Sequence, residues 1–355
     1  MRDKFTTQVL SLVSGKGGSG KTALAISAGY MLSILGYKTL LVDLDFNTHG
    51  LSYFFEGLAK KHGVVGLLDL IPEPDTPDYL PVVLSKEEVE QRRQIENRVV
   101  AADFKLGYSE KLDVALSKVN FMSPSLGKLE GGVRLIVALC KELLEANKGL
   151  YHYIILDSQA GPCSSTLAAI DMSDKYVIVA EPDSLSIAAV RNLEYETEGK
   201  ARSAKNFVLN KVFPQEIENV EAMSNYLRLF DHLTPIPFDF EVRKAFTLKQ
   251  IPFEQEVPTL FSVSVIRFLQ EVFPELSKEF REKADSLYRE HFEGIESKRE
   301  ALATNVRSWT RVESITNVSA YVITISAIVY FTFWVELSSV MNGIPTMFLG
   351  GWDWG

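Results

Sequence analysis

Apolar runs of strand length alternate with segments of helical spacing along most of the chain. A run over residues 9–13 precedes a helical pattern over residues 24–34. Further runs share this predominantly apolar character: 40–44, 112–116, 153–156, 177–180 and 207–209. Runs of this kind, separated by helices, are typical of strands in a parallel sheet. The pattern therefore predicts an α/β domain with a doubly wound, mostly parallel sheet and helices on both faces.

One segment of this domain, which we place at residues 1–275, departs from the regular alternation. Residues 72–111 begin with four prolines and continue with a charged stretch. Ser85 and Glu88 form a capping box, which predicts a short helix there. We interpret the segment as a surface insertion that either binds a partner or serves as a solvated spacer.

The C-terminal part has a different composition. Residues 276–312 are highly charged, with apolar residues at steps of three and four, and predict a long connecting helix. This connector is expected to pack on the first domain, on a second copy or on a partner. From Ile315 to Val335 the sequence has no charged residue, which is long enough to cross a hydrocarbon core of about 30 Å. We predict a transmembrane helix at 313–336, with a buried helix of the globular domain as the alternative.

The charges beside this predicted span indicate its orientation. Arg307 and Arg311 precede it, whereas the tail 337–355 contains no Lys or Arg. The positive-inside rule then places the large domain in the cytoplasm and the tail on the other side. No signal-peptide or transit-peptide pattern precedes the first predicted strand. The expected location is the inner (cytoplasmic) membrane, with a single span.

Composition argues against several other classes of protein. The 355 residues carry a formal net charge of −9, which gives no general attraction to nucleic acid. The two cysteines, Cys140 and Cys163, do not form a C-x-x-C pair, and the five histidines lack metal-ligand spacing. The sequence therefore predicts neither a disulfide framework nor a Cys/His metal site.

Residues 15–22 read Gly-Lys-Gly-Gly-Ser-Gly-Lys-Thr and match the phosphate-binding pattern G-x-x-x-x-G-K-[ST]. Glycines let successive backbone N–H groups surround a phosphate at the start of a helix. Lys21 is expected to reach the β- and γ-phosphates, and Thr22 to place a hydroxyl on Mg²⁺. The pattern predicts a nucleotide site built from consecutive residues: Gly15, Lys16, Gly17, Gly18, Ser19, Gly20, Lys21, Thr22 and Ala23.

Carboxylates end two of the predicted strands. Asp43 and Asp45 end the second apolar run, and Asp157 ends the run over 153–156. Ligands bind at the carboxyl ends of strands in open α/β sheets. An apolar run that ends in Asp is the Walker B arrangement, which predicts that Asp157 holds Mg²⁺ directly or through water. For Asp43 and Asp45, a turn and helix cap is the alternative.

Lys16 makes the loop more specific, because the segment resembles the deviant Walker A motif, K-G-G-x-G-K-[ST], of the ParA/MinD family of ATPases. The resemblance implies that Lys16 crosses a dimer interface to the partner's nucleotide, while Lys21 keeps the ordinary role. Asp45 matches the residue that orients the attacking water, and Asp43 the carboxylate that supports the Mg²⁺ shell. Residues 157–161 resemble the second switch of the division-site branch.

Later segments extend this resemblance over roughly residues 5–275. Asn210 and Lys211 match the end of the strand whose terminal Asn contacts the adenine. Pro237 lies in a segment similar to the one that closes the base pocket. The family thus implies ATP and Mg²⁺ as cofactors, ATP hydrolysis as the activity and a homodimer that encloses ATP. The expected partners are a second copy, the membrane and an unidentified protein; nucleic acid is not expected.

Three functional classes are compatible with these features. The first is a membrane-anchored ATPase switch, in which ATP closes a dimer and hydrolysis opens it. The second is a phosphotransferase of the bacterial tyrosine-kinase type, although the chain has no tyrosine after Tyr330. The third is a targeting or transport ATPase similar to the anion-pump and tail-anchor-insertion enzymes, although a C-x-x-C pair is missing. The related iron–sulfur branch is disfavoured because Cys163 lacks a matching second cysteine.

Overall fold

The fold comes from a computed structural model. It describes residues 6–68, 105–119, 140–197 (without 142, 143 and 146), 205–213, 232–254 and 258–297 (without 288, 291, 292 and 295). The chain divides into two compact units, Met1–Phe292 and Glu293–Gly355. All elements named below belong to the first unit.

The described strands form one sheet of order β3-β4-β2-β5-β1-β6-β7-β8. All neighbouring pairs are parallel except β3 and β4, so the predicted mostly parallel α/β sheet is confirmed. β2 is buried at every residue, which explains its continuous apolar run. The strands are β1 Gln8–Ser14, β2 Thr39–Leu44, β3 Lys105–Gly107, β4 Leu112–Ala115, β5 Tyr153–Ala160, β6 Lys175–Ala180, β7 Lys205–Val212 and β8 His232–Pro237.

Helices cover both faces of this sheet. Leu10 and Leu12 of β1 belong to one apolar cluster, which also contains residues of the helices 21–34, 50–62 and 260–272. Val13 of β1 belongs to a second cluster, which contains residues of the helix 184–197. Asp239 and Thr259 begin the last two helices by accepting backbone N–H groups through their side chains. The helices are α1 Lys21–Ile34, α2 Gly50–His62, α3 Ser164–Met172, α4 Ser184–Thr197, α5 Phe240–Thr247 and α6 Leu260–Val272.

The core of this unit extends beyond the predicted domain end at residue 275. Residues 277–287 are helical, and Phe280, Ala284 and Leu287 are buried in the same cluster as α6. The start of the predicted connector therefore packs on its own domain. Residues 72–104 of the predicted insertion are outside the described residues. The last part of the insertion, residues 105–111, contains the edge strand β3.

The predicted membrane segment falls outside the described residues. Within the described ranges, no helix is both long and apolar enough to span a bilayer. Residues 313–336 and the tail 337–355 are not among those ranges. The transmembrane helix accordingly stays a prediction.

Candidate functional site

The loop between β1 and α1 has a shape that only glycine accommodates at key positions. Gly18 and Gly20 have φ angles of 84° and 90°, in the left-handed region. A Cβ at Gly15 would lie 2.3 Å from the Ala189 carbonyl carbon, and one at Gly20 would lie 2.2 Å from Asn210 Nδ2. The loop is therefore both curled and closely packed, as a backbone cradle for phosphate requires.

Lys21 is buried directly after this loop, with 7% of its surface exposed. Its Nζ donates a hydrogen bond to Ser14 Oγ at 2.7 Å. Burial lowers the pKa of the Lys21 ammonium, and the nearby carboxylates of Asp157 and Asp45 oppose that effect. An ammonium has three donors, of which Ser14 takes one. An anion in the adjoining cavity would stabilise the charged form.

Thr22 and Asp157 form the candidate metal site. Thr22 Oγ1 donates to Asp157 Oδ2 at 2.7 Å, which brings the two predicted Mg²⁺ residues together. Asp157 is 1% exposed, and its buried Oδ1 atom has no hydrogen-bond partner in the part of the chain that the structure describes. Burial, followed by the charge of Asp43, raises the pKa of Asp157 to about 7. A carboxylate oxygen beside a hydroxyl suits the oxygen-ligand preference of Mg²⁺, so these residues fit the ion.

Asp43 lies beside Asp157 in the β2–β5 register, but its carboxylate oxygens already accept hydrogen bonds from other protein groups. Its Oδ2 accepts hydrogen bonds from Ser52 N (2.9 Å), Ser52 Oγ (2.5 Å) and Ser117 Oγ (2.9 Å). Its Oδ1 accepts the backbone N–H of Asp45 at 2.9 Å. Burial raises the pKa of Asp43 to about 6. The carboxylate thus fastens α2 and the end of β4 to β2, and its support of Mg²⁺ stays a prediction.

Asp45 forms the turn that its sequence context allows, and its role in orienting water stays a prediction. Its Oδ1 accepts the backbone N–H groups of Asn47 (3.2 Å) and Thr48 (2.9 Å), and its Oδ2 accepts the Thr48 hydroxyl. This is the turn arrangement named above as the alternative. Asp45 also lines the same cavity as Lys21 and Thr22, where a water-orienting residue is expected.

Lys16 lies apart from this group. Its Nζ forms an ion pair with Asp183 Oδ2 at 3.5 Å, and the two side chains are 43% and 39% exposed. Exposed ion pairs contribute roughly 0–1 kcal/mol, so this one holds Lys16 only weakly. Lys16 does not belong to the cavity lining that contains Lys21.

The predicted base-binding residues join the phosphate loop in one cavity of about 900 Å³. Asn210 Nδ2 donates to the Ser19 carbonyl at 2.8 Å, and Lys211 Nζ donates to the Gly18 carbonyl at 2.6 Å. Asn210, Lys211 and Pro237 all line the cavity. The structure therefore brings the two halves of the predicted nucleotide site together.

Sequence reasoning missed the opposite wall of this cavity. Apolar and aromatic side chains of α2, α5 and α6 form it, and the rings of Phe54 and Phe246 lie 5.0 Å apart. Lys249 lies 3.8 Å from the centre of the Tyr53 ring. Gln159 at the end of β5 also lines the cavity. The aromatic residues carry no motif of their own, since they meet only through the fold, whereas Gln159 lies in the segment 157–161 that resembles the second switch.

Comparison with known proteins identifies relatives of this site and fold. The sequence profile of the family described as "AAA domain" matches residues 7–209. An uncharacterized protein of Methanocaldococcus jannaschii is 27% identical over 249 residues, which cover 67% of this chain and 87% of the relative. An uncharacterized ATP-binding protein of the same organism is 26% identical over 204 residues, covering 58% and 64%.

Solved structures share the fold. The septum site-determining protein MinD of Pyrococcus horikoshii, complexed with Mg-ADP, aligns with a TM-score of 0.52 and 20% identity. The alignment covers 75% of this chain and 96% of that one. MinD of Aquifex aeolicus in a MinC:MinD complex gives a TM-score of 0.52 at 20% identity, with coverages of 74% and 96%.

The buried Asp157 carboxylate makes a prediction about stability. Its pKa is raised from 3.8 to about 7, so the folded, nucleotide-free protein holds a proton that the unfolded chain releases. Stability from this group is thus present at low pH and is lost as pH rises through about 7. We expect Asp157→Asn to raise the free energy of unfolding at pH 7.5 by about 1–3 kcal/mol, measured by urea unfolding.

The matched control is Asp285→Asn, because that carboxylate is exposed. This change is expected to alter the free energy of unfolding by less than about 0.5 kcal/mol. Between pH 4 and pH 7, Asp157→Asn should also lose less stability than the wild type. A variant that is less stable than the wild type at pH 7.5 would contradict this account of the site.

Proposed function

The chain belongs to the AAA domain family and is a P-loop ATPase of the ParA/MinD type, and from this premise we propose a membrane-anchored switch. In this proposal, Mg-ATP closes a homodimer, hydrolysis opens it, and the two states differ in the partner proteins they bind. One observation carries the ATPase part of this proposal. The buried Lys21 lines one cavity together with Thr22, Asp45 and Asn210, and the Thr22 hydroxyl donates to the buried Asp157.

The residues named in this proposal have distinct parts in binding and hydrolysis. The backbone N–H groups of the phosphate loop and Lys21 Nζ bind the phosphates. Thr22 and Asp157 would hold Mg²⁺, which supplies neutralisation of phosphate charge when bound. Asp45 positions the attacking water on the far side of the γ-phosphate from the leaving group. Asn210, Lys211 and Pro237 border the space assigned to the base.

Two substitutions separate binding from chemistry. Lys21→Ala removes the buried ammonium and is expected to weaken ATP binding at least about tenfold. Asp45→Ala should retain ATP affinity but slow phosphate release at least about tenfold, because water positioning is lost. Calorimetry measures the first effect, and release of free phosphate from labelled ATP measures the second.

The same assay tests the proposal as a whole. Label that appears on protein tyrosine, with no free phosphate, would favour the phosphotransferase class over a hydrolase. Asp45→Ala that hydrolyses ATP at the wild-type rate would show that the first switch is assigned wrongly. Exposed Lys244→Ala serves as the control for loss of a lysine, because Lys244 does not line the cavity.

The proposed dimer depends on Lys16. Its ion pair with Asp183 is exposed and weak. Little free energy is therefore lost when the Lys16 side chain leaves Asp183 and contacts the nucleotide of a partner. The fragment 1–297, which contains the core helix 277–287, should form dimers with ATP in an Asp45→Ala background and remain monomeric with ADP. Adding Lys16→Ala should prevent dimerisation while ATP still binds, as measured by light scattering.

The control for this experiment is Lys148→Ala, because Lys148 also forms an exposed ion pair, with Glu145, but lies before β5, at the opposite end of the parallel strands from the phosphate loop. The fragment that carries this control substitution should dimerise as the Asp45→Ala fragment does. An unchanged mass in ATP, in ADP and after Lys16→Ala would rule out the cross-interface role. The fragment must extend to residue 297, since ending it at 275 would expose the apolar surface that Phe280 covers.

Membrane anchoring is the second part of the proposal. The uncharged run from Ile315 to Val335 supports it, because its burial in hydrocarbon outweighs the cost of its few hydroxyl groups. The full chain should resist extraction by carbonate, whereas the fragment 1–297 should be released. A tag after Gly355 should be protected from cytoplasmic protease and a tag before Met1 cleaved. Release of the full chain by carbonate would contradict the span.

Regulation of a partner protein is the least specified part. It is supported by the similarity of the fold to MinD, which has been solved in complex with MinC. The partner of this chain is proposed only as a protein that distinguishes the ATP-bound dimer from the ADP-bound monomer.

A further inference from the structure

We propose that Gln159 is a second water-positioning residue of this ATPase, acting beside Asp45. The inference rests on the proposed function, because it concerns the same hydrolysis site. Gln159 matches none of the positions assigned to nucleotide or metal above. Three observations support this role: the position of Gln159 at the end of β5, its hydrogen bonds, and the hydrogen bonds that already occupy the Asp45 carboxylate.

The strand places Gln159 next to the phosphate loop. It follows Asp157 by two residues, and its neighbour Ala160 pairs with Ser14 of β1, directly before the loop. Gly161 donates its backbone N–H to the Ser14 carbonyl at 2.7 Å, which fixes the end of β5 against β1. The Gln159 side chain then lines the cavity that contains Lys21 and Asp45.

The amide of Gln159 is held from one side by the start of α3. Ser165 Oγ donates to Gln159 Oε1 at 3.3 Å, and Ser165 is 1% exposed. Thr166 Oγ1 donates to the Gln159 backbone carbonyl at 2.7 Å. Within the described part of the chain, Nε2 of Gln159 has no hydrogen-bond partner. The amide therefore has a fixed oxygen and a nitrogen available to another group in the cavity.

Asp45 alone offers limited capacity for a water molecule. Its carboxylate already accepts two backbone N–H groups and one hydroxyl from its own turn. An ionised carboxylate only accepts hydrogen bonds, whereas a glutamine amide both donates and accepts. Positioning of an attacking water by a glutamine is an established solution in other phosphate-loop hydrolases. Gln159 can supply the donor that Asp45 lacks.

The reaction assigned to these residues is simple hydrolysis. The water oxygen bonds to the γ-phosphorus while the bond from that phosphorus to the β,γ-bridging oxygen breaks. The electron pair of the broken bond stays on the β-phosphate of ADP, and the proton of the water leaves with inorganic phosphate. Gln159 and Asp45 fix the direction of the attacking oxygen and are unchanged at the end.

The test compares Gln159→Ala with Gln8→Ala in the full chain. Gln8 is also a hydrogen-bonded glutamine on a central strand, but it begins β1, at the opposite end of that strand from the phosphate loop. Gln159→Ala should lower kcat by about 10- to 100-fold. Affinity for a non-hydrolysable ATP analogue should change less than about threefold, and affinity for ADP with aluminium fluoride should fall about as much as kcat. Gln8→Ala should leave all three values unchanged.

Ser165→Ala provides a second variant that leaves Gln159 in place. Loss of its hydroxyl should lower kcat by a smaller factor, about 2- to 10-fold. Affinity for ADP with aluminium fluoride should fall by a similar factor, while affinity for the non-hydrolysable ATP analogue should stay nearly unchanged. Gln159→Ala with wild-type kcat would overturn the inference, as would an equal loss of both analogues, which indicates general distortion. Either result leaves the proposed function intact if Lys21→Ala still weakens ATP binding as predicted above. A wild-type chain that releases no phosphate would overturn both.

Discussion

Three ionisable groups are buried where strands β1, β2 and β5 end, and this concentration of charge constrains the surrounding structure. Lys21 is 7% exposed, Asp157 1% and Asp43 0%. Burial disfavours the ionised form of each group, so each requires a compensating donor, acceptor or opposite charge. Hydroxyl groups of neighbouring elements supply part of that compensation, and among the described residues Asp157 Oδ1 has no hydrogen-bond partner. A site of this kind is less stable empty than filled, which gives an energetic basis for the proposed nucleotide-dependent change.

The phosphate loop is closely packed because two other elements contact it directly. Ala189 of α4 closes the space beside Gly15, and Asn210 of β7 closes the space beside Gly20 while it binds the Ser19 carbonyl. Asn210, on the base side of the cavity, is therefore in direct contact with the phosphate loop. Residues of β7 and α4 thus hold the loop from outside, whereas the turn that follows β2 is held mainly by its own side chains.

The sequence predicted the central strands and the phosphate loop because both depend on local patterns. Buried parallel strands carry continuous apolar runs, and the loop needs glycine wherever φ is positive or space is missing. The edge strands escaped prediction for physical reasons. β3 contains Lys105 and Gly107, and β8 contains two prolines that only an edge position accommodates. The aromatic wall of the cavity was also missed, since Phe54 and Phe246 meet only after folding.

The pair Asp43 and Asp45 shows why motif assignment and local geometry must be considered together. Asp45 stabilises its own turn and lines the cavity, so its turn role and its proposed chemical role occupy the same atoms. Asp43 fastens α2 through Ser52, and α2 in turn contacts Lys249 through Glu56. A buried hydrogen-bond network of this type changes between discrete arrangements rather than by gradual deformation. Any movement of Asp45 towards a bound nucleotide must therefore break turn hydrogen bonds or carry α2 with it, and α2 links the hydrolysis site to the outer wall of the cavity.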